Sequence, residues 1–412
     1  MPSPRTGGRN SGTSLVPFLR PVTGEAIPWA TVGALGLTQI LAWGTTYYLL
    51  AVLAEPIAAD TGWPMTAIVS GLSLGLLVAG LISPRMGQIV ERYGGRPVLA
   101  TSSVVLAVGL GGLAASPNLT AYLISWAVLG IGMGTGLYDA AFATLGRAYG
   151  ADARRAITAV TLLAGFSSTI CWPLSGLLIE HYGWRAACLV YAALHLGICL
   201  AVHLCCVPGL SPAPADATVV EQPVQSTRRE KGERDLYVLA IILTLTAMIS
   251  AVMSVQLVAF ILAAGVELTT AVALAAMLGP SQVGVRLIEM AFGRHYHPIW
   301  TLISAAGLMA VGIGLLAIGV PLIAPAVITY GGGVGIAWIA RGTVPLALLG
   351  PTDYAVRMGR LALPSLIAQA LSPSLGTLLL ATSGPRATLL ALFALALLAL
   401  AAALWLRRAM LE

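Results

Sequence analysis

Glu91-Arg92-Tyr93-Gly94-Gly95-Arg96 and Glu289-Met290-Ala291-Phe292-Gly293-Arg294 share the pattern E-x-x-x-G-R at positions roughly 200 residues apart. Each hexapeptide is a short polar break with a long apolar run on either side. A helix of about 20 apolar residues crosses the ~30 Å hydrocarbon core of a bilayer, so such breaks mark a chain that re-enters the membrane at once. Two further matches keep the same order and offset. Gly130, Gly132, Gly134 and Gly136 are answered by Gly331, Gly333 and Gly335, and Pro173-Leu-Ser-Gly176 by Pro373-Ser-Leu-Gly376. The chain therefore reads as two parallel copies of one unit. Parallel repeats of this kind hold a substrate site at their interface near mid-membrane and rock one half against the other.

Composition points the same way. Of 412 residues, 58% are hydrophobic and 9% charged, whereas soluble domains carry about a quarter charged residues. Backbone groups in lipid must be satisfied within the protein, which leaves helices or a closed barrel. The runs are continuously apolar and do not alternate, so they are helices. Twelve spans are expected near 27–54, 65–85, 98–115, 119–143, 156–179, 184–207, 236–264, 268–290, 298–319, 321–347, 360–383 and 387–406. The fold expected is an all-α membrane protein with 12 transmembrane helices in two pseudo-symmetric six-helix bundles. The divisions are an N-terminal tail 1–26, a first half 27–207, a hydrophilic linker 208–235, a second half 236–406 and a tail 407–412. Residues 1–26 lack the apolar core of a secretory signal, and no small-residue cleavage site follows the first run.

Arginine placement gives the orientation. Arg85, Arg92, Arg96, Arg147, Arg154, Arg155, Arg294, Arg357, Arg360, Arg407 and Arg408 collect on one side with the basic residues of the N-terminal tail and the linker; Arg185 and Arg386 fall on the other. Cytoplasmic loops retain the excess Lys and Arg, so both termini are expected in the cytoplasm, in a multi-pass protein of the bacterial inner membrane. The net charge of +6 is then a topology signal and implies no nucleic-acid partner. Five cysteines, Cys171, Cys188, Cys199, Cys205 and Cys206, lie in apolar runs without CxxC spacing, which disfavours a disulfide framework or zinc site. Cys199 and Cys206 share a helix face, where packing as small hydrophobes competes with a soft-metal or arsenical site. No metal or other cofactor is expected.

The loop Gly87-Gln-Ile-Val-Glu91-Arg92-Tyr-Gly94-Gly95-Arg96 resembles the G-x-x-x-D-R-x-G-R signature of the major facilitator superfamily, with Glu for the usual Asp. The resemblance covers nearly all of residues 27–406 and implies that this loop gates the inward-closed state. Glu91, Arg92 and Arg96, with Glu289 and Arg294 in the second copy, are the gating candidates, able to form ion pairs that break when the halves rock. Tyr182-Gly183-Trp184-Arg185 and Gln282-Val-Gly-Val-Arg286 resemble, at a distance, the monocarboxylate/oxalate-type branch. That branch often has an acid where Gln282 stands and a lysine in its first span, where this chain has Trp43-Gly-Thr-Thr-Tyr47-Tyr48. Both departures weaken any carry-over of its proton coupling.

Ionisable residues inside spans cost about 2.5–3.5 kcal/mol or more by insertion scales and are functional candidates by default. Arg286 shares a helix face with Gln282 and Glu289. Its guanidinium fork suits bidentate capture of a carboxylate, or it pairs with Glu289 as part of the gate. Arg341 is the second cation, for substrate or for structure. Asp139 either carries a coupling proton, since desolvation raises a carboxylate's pKa, or pairs with Arg147 or Arg341. Gln39, Trp43 and Tyr47 lie on one face of the first span, and Gln256 and Gln369 are buried amides; cavity lining and helix packing both account for them. The glycine ladders read as close helix packing. The five histidines, placed mostly at span ends, read as structural or interfacial.

No P-loop, HExxH or nucleophile–base pair is present, which disfavours an enzyme and ATP-driven transport. The expected function is secondary active transport of a small solute, an organic anion such as a carboxylate, with a proton as the candidate co-transported ion. The alternative is an efflux pump for a xenobiotic or toxic metalloid compound. A non-transporting sensor on the same scaffold would need a large soluble appendage. A monomer suffices for the fold, and the oligomeric state is open.

Overall fold

The computed structural model describes residues 29–209, 226–318 and 322–411, and the described residues hold helices and no strands. The first half contributes α1 (Trp29–Gly44), α2 (Leu50–Thr61), α3 (Met65–Tyr93), α4 (Gly95–Ala114), α5 (Leu119–Gly136), α6 (Tyr138–Tyr149), α7 (Ala153–Ala164), α8 (Ser167–Leu194) and α9 (Leu200–Cys206). The second contributes α10 (Ser226–Ala263), α11 (Leu268–Ala276), α12 (Leu278–Phe292), α13 (Pro298–Ile318), α14 (Ile323–Leu349) and α15 (Tyr354–Leu411). Eight helical stretches among the described residues are long and apolar enough to cross a membrane. Two of them, of 88 and 57 residues, far exceed the ~20 residues one crossing needs. α10 starts at Ser226, so the last part of the expected linker 208–235 is helical; residues 210–225, like the tail 1–26, lie outside the described residues.

The repeat is written into the backbone. Gly62 and Gly265, Gly150 and Gly350, and Gly183 and Gly384 form three pairs at matching positions, every one with positive φ between 55° and 85°. That region is open to glycine and strained for other L-residues, so these glycines make the turns of both copies. Gly183 and Gly384 fold α8 and α15 back within what are otherwise continuous helices. The glycine ladders also act alike. In α5, Gly130 and Gly134 lie against Gly75 and Ala79 of α3, while Gly132 and Gly136 face Leu106 and Ser102 of α4. In α14, Gly331 and Gly335 lie against Ser281 and Gln282 of α12, and Gly333 against Met309 of α13. Small residues let backbones approach where no water drives association.

Four runs expected to be continuous are interrupted: α1/α2 at residues 45–49, α5/α6 at Leu137, α7/α8 at Gly165 and Phe166, and α11/α12 at Met277. Hydropathy does not register the breaks at Leu137, Gly165-Phe166 and Met277, which carry no polar side chain; the break at 45–49 runs through Thr45-Thr46-Tyr47-Tyr48. An interrupted helix inside a membrane survives where its freed carbonyls find internal donors. Here Gln39 Nε2 donates to the Gly136 carbonyl at 2.7 Å, at the α5/α6 break. Ser167 Oγ, at the start of α8, donates to the Ile40 carbonyl of α1 and ties the two helices together.

The halves are joined near one end. α3 meets α15 so closely that a Cβ on Gly87 would collide with the Ala355 carbonyl, and one on Gly359 with that of Ser83. Gly146 lies on the Tyr354 ring and Gly342 on Phe142 and Ile157. Among the described residues, the hydrogen bonds and ion pairs between the halves fall at Asp139–Arg341, Thr161–Arg286, Arg154–Tyr296 and Arg154–Glu289. Each lies within about three helical turns of a basic loop. Toward the opposite end, Leu268, Val272, Leu371, Leu375 and Leu378 are exposed. There Asp60 of α2 accepts from Arg185 and from Trp184 Nε1 at 3.0 Å, a bond wholly within the first half. Those hydrogen bonds, Arg185's first, hold the Asp60 carboxyl below the usual range.

Candidate functional site

A small, half-open cavity lies where α10, α14 and α15 meet the α1/α2 break. Its lining includes Tyr47, Thr246, Ser250, Trp338, Arg341 and Gln369. Three expected residues, Tyr47, Arg341 and Gln369, therefore meet there. Trp43 stands behind the wall, 5.4 Å from Tyr47 and 5.2 Å from Trp338 between ring centroids, both near edge-to-face. It also touches Tyr138 at 4.8 Å and Tyr48 at 6.2 Å, so four aromatic residues from both halves converge on one indole.

The sequence alone does not single out Trp338 or Ser250 as cavity residues. Trp338 carries a signal in hindsight, one turn from Arg341 and across the repeat from Tyr138. Ser250 carries none, because a lone hydroxyl in an apolar run says nothing about which way it faces.

Arg341 is bound through both arms of its fork to Asp139, Nε to Oδ1 at 2.7 Å and Nη2 to Oδ2 at 2.9 Å. Both residues are buried. Of the partners open to Asp139 in the sequence, the structure selects Arg341. Arg147 instead pairs with Glu91 at 3.0 Å, because α3 and α6 end side by side.

Arg286, 3% exposed, has no carboxylate in ion-pair range among the described residues. Its Nε donates to the Gly335 carbonyl at 3.0 Å and its Nη1 to that of Thr161 at 2.9 Å, spanning the halves. The Tyr138 hydroxyl shares the Thr161 carbonyl at 3.4 Å, and Tyr48 also lies within reach of the guanidinium charge. Arg286 is thus on the far side of the aromatic cluster from the cavity. Glu289, one turn away, is engaged elsewhere: Tyr296 Oη and Thr301 Oγ1 donate to it, the latter at 2.8 Å, and Arg154 Nη2 lies 3.6 Å away. Burial and the bond to Glu289 raise the Tyr296 phenol to about 12.

The gate residues divide unequally. The Glu91–Arg147 pair stays within the first half, whereas its repeat counterpart Glu289 pairs across the halves with Arg154. Arg96 Nε donates to the Val207 carbonyl at 2.7 Å, and Arg92 lies over the Tyr93 ring at 5.3 Å. Arg294 is exposed. Gln282 is half-buried, with its backbone against Gly335. Gln39 supports a helix break, and Gln256 Nε2 bonds Thr377 Oγ1 at 2.9 Å between α10 and α15.

Of the histidines, His195 lies mid-span, whereas His203 stands in the last turn of α9, at the span end expected of it. His195 and His203 are buried, bonding Thr45 at 2.8 Å and, for His203, Ser103 at 2.9 Å and Thr38 at 3.1 Å. They fix α8 and α9 to α1 and α4. Cys199 is buried and Cys206 exposed, so the shared face does not bring the two thiols into one environment.

Residues 35–344 match the Major Facilitator Superfamily. The chain belongs to that superfamily. Superfamily members are transporters, and the chain is accordingly a membrane transporter and not an enzyme. Among curated proteins it is similar to monocarboxylate transporter 11 of Homo sapiens, 34% identical over 178 residues, which is 42% of this chain and 36% of that protein. Monocarboxylate transporter 9 of Mus musculus is 32% identical over 174 residues, 41% of this chain and 33% of that protein. The matched stretch spans about a third of these relatives' length. Among solved structures, the human organic anion transporter MFSD10 aligns with a TM-score of 0.69 at 16% identity, over 92% of this chain and all of that one. The E. coli fucose:proton symporter FucP aligns at 0.68 and 15%, over 93% and 98%. These two likenesses show the major facilitator fold.

Proposed function

We propose that this chain is a secondary active transporter of a small organic anion, a carboxylate, worked by alternating access between residues 27–207 and 236–406. The carrying observation is Arg286: a buried guanidinium with no carboxylate partner among the described residues and two nitrogens on carbonyls of opposite halves. A cation kept in so poorly hydrated a place asks for an anion. The relatives named as monocarboxylate transporters support the same reading, although only partial lengths match. Twelve spans with both termini cytoplasmic suit the arginine placement, and the conformation is then closed to the cytoplasm. Arg341 and Asp139 form the principal inter-half lock in this scheme. Protonation of Asp139 removes the charge that holds Arg341 and gives the anion a proton to travel with.

The test is uptake of labelled lactate, pyruvate, benzoate and succinate into proteoliposomes, with and without an imposed pH gradient. Charge-assisted hydrogen bonds contribute about 1.5–3 kcal/mol, so Arg286→Gln should raise the half-saturation concentration roughly tenfold to a hundredfold. Arg286→Lys, which keeps charge without the fork, should fall between. Absence of saturable carboxylate uptake by folded protein would sink the reading and make efflux of an uncharged or toxic compound the next test.

A further inference from the structure

We infer that Gly165, at the α7/α8 break of the first half, is a positioning residue for Arg286 of the second: the side chain it lacks is what lets the guanidinium reach across the interface. This rests on the reading of Arg286 as anion anchor and adds to it the element that aims the anchor.

Backbone conformation does not call for glycine here. Gly165 has φ −59° and ψ −22°, inside the right-handed helical region that every L-residue adopts. Close helix packing does not call for it either. A Cβ on the ladder glycines Gly130, Gly134 or Gly335 would first meet the backbone of the helix opposite. A Cβ on Gly165 would first meet Arg286 Nη1, at 2.6 Å, then the Leu162 carbonyl at 3.0 Å and Val283 at 3.6 Å.

The break supplies the rest of the seat. α7 stops at Ala164, so the Thr161 carbonyl belongs to the last turn, whose acceptors no further turn satisfies. It accepts the Gly165 amide at 3.1 Å and Arg286 Nη1 at 2.9 Å. The partial negative charge of a helix C-terminus favours a cation there. On the other side, Arg286 Nε donates to the Gly335 carbonyl at 3.0 Å, and Gly335 is packed against the Gln282 backbone. Both acceptors are main-chain carbonyls in packed helices, and neither neutralises the cation. It is placed and keeps its charge for a ligand.

A methyl at position 165 therefore has backbone on one side and the end of a long side chain on the other, and the side chain yields. Ordinary contact begins at 3.4 Å, so Nη1 must retreat from 2.6 Å by about 0.8 Å. A shift of that size loses the Thr161 bond while the helices stay in place.

The experiment is a double-variant cycle in proteoliposomes, using whichever labelled carboxylate shows saturable uptake. Gly165→Ala and Gly176→Ala are each made in the wild-type and Arg286→Lys backgrounds. Gly176 of α8 is the control, because a methyl there meets nothing within 4 Å. Gly165→Ala should raise the half-saturation concentration roughly fivefold to a hundredfold, the range that overpacking by one methyl spans. In Arg286→Lys, which has no Nη1, the same change should matter less than about twofold. An equal penalty in both backgrounds would mean a general packing defect and would overturn the inference. The seat is also read without ligand, in protein carrying isotope-labelled arginine. The Nε–H resonance lost in Arg286→Lys should shift in Gly165→Ala and stay put in Gly176→Ala. An unmoved resonance in Gly165→Ala would overturn the seat whatever is transported, and a moved one with unchanged half-saturation would overturn its role in aiming the anchor. A moved resonance in folded protein that takes up no carboxylate would support the seat and remove the carboxylate reading.

Discussion

Asp139→Asn isolates the lock between the halves. In the closed basic end, the Asp139 carboxylate accepts two bonds from Arg341, at 2.7 and 2.9 Å, with both residues buried. Two charge-assisted bonds at about 1.5–3 kcal/mol each give about 3–6 kcal/mol, consistent with the roughly 3–5 kcal/mol lost when one partner of a buried pair is removed. The cost falls on the closed state, because Arg341 can hydrate once the halves part. At about 1.4 kcal/mol per factor of ten, even about 3 kcal/mol moves the closed–open equilibrium more than roughly a hundredfold. The assay is pulsed electron–electron distance measurement in a cysteine-free background. One label pair replaces exposed Tyr93 and Phe292 at the basic end, and another Leu177 and Leu268 at the opposite end. The first distance should lengthen in Asp139→Asn and the second shorten. The double variant Asp139→Asn/Arg341→Gln removes the unpaired cation and should return part of the way. An unchanged distribution in the single variant, or one equally shifted in the double, would refute the reasoning.

Other perturbations probe neighbouring parts of the same contact. Gly359→Ala places a methyl on the Ser83 carbonyl where α15 crosses α3; overpacking costs about 1–3 kcal/mol, so the basic end should open by roughly fivefold to a hundredfold, read as thiol labelling of Ser83→Cys. His297 Nδ1 accepts the Ile299 amide at 3.2 Å, and burial, then Arg154, holds its pKa below the ordinary value. Because the folded pKa lies below the unfolded one of about 6.5, this contribution is complete above that pH and is lost as pH falls through the folded value. Thermal stability should therefore drop on acidification from about pH 7.5 to about 5.5, and His297→Gln should flatten that slope.

Much of the architecture was legible in the chain itself. Long, non-alternating apolar runs are satisfied in lipid as helices, and an E-x-x-x-G-R loop recurring in one order and at one offset with glycine and proline matches reads as duplication. The positive-φ pairs Gly62/Gly265, Gly150/Gly350 and Gly183/Gly384 are the backbone form of that duplication. Which residues carry chemistry was less legible. Sequence named Arg286, Arg341 and Asp139 because charge in a membrane run is costly wherever it lies, but it left each with two roles. Only the tertiary structure joined Asp139 to Arg341 and Glu289 to Arg154, kept Glu91 with Arg147, and left Arg286 without a carboxylate among the described residues. Those choices depend on which helices of the two halves face each other and on the glycines that let them approach. The helix breaks that gave Gln39 its acceptor were likewise invisible, since a break among apolar residues leaves hydropathy unchanged. Local sequence sets what each segment must do in lipid; the pairing of charges belongs to the interface between two copies of one unit, a relation that no single segment contains.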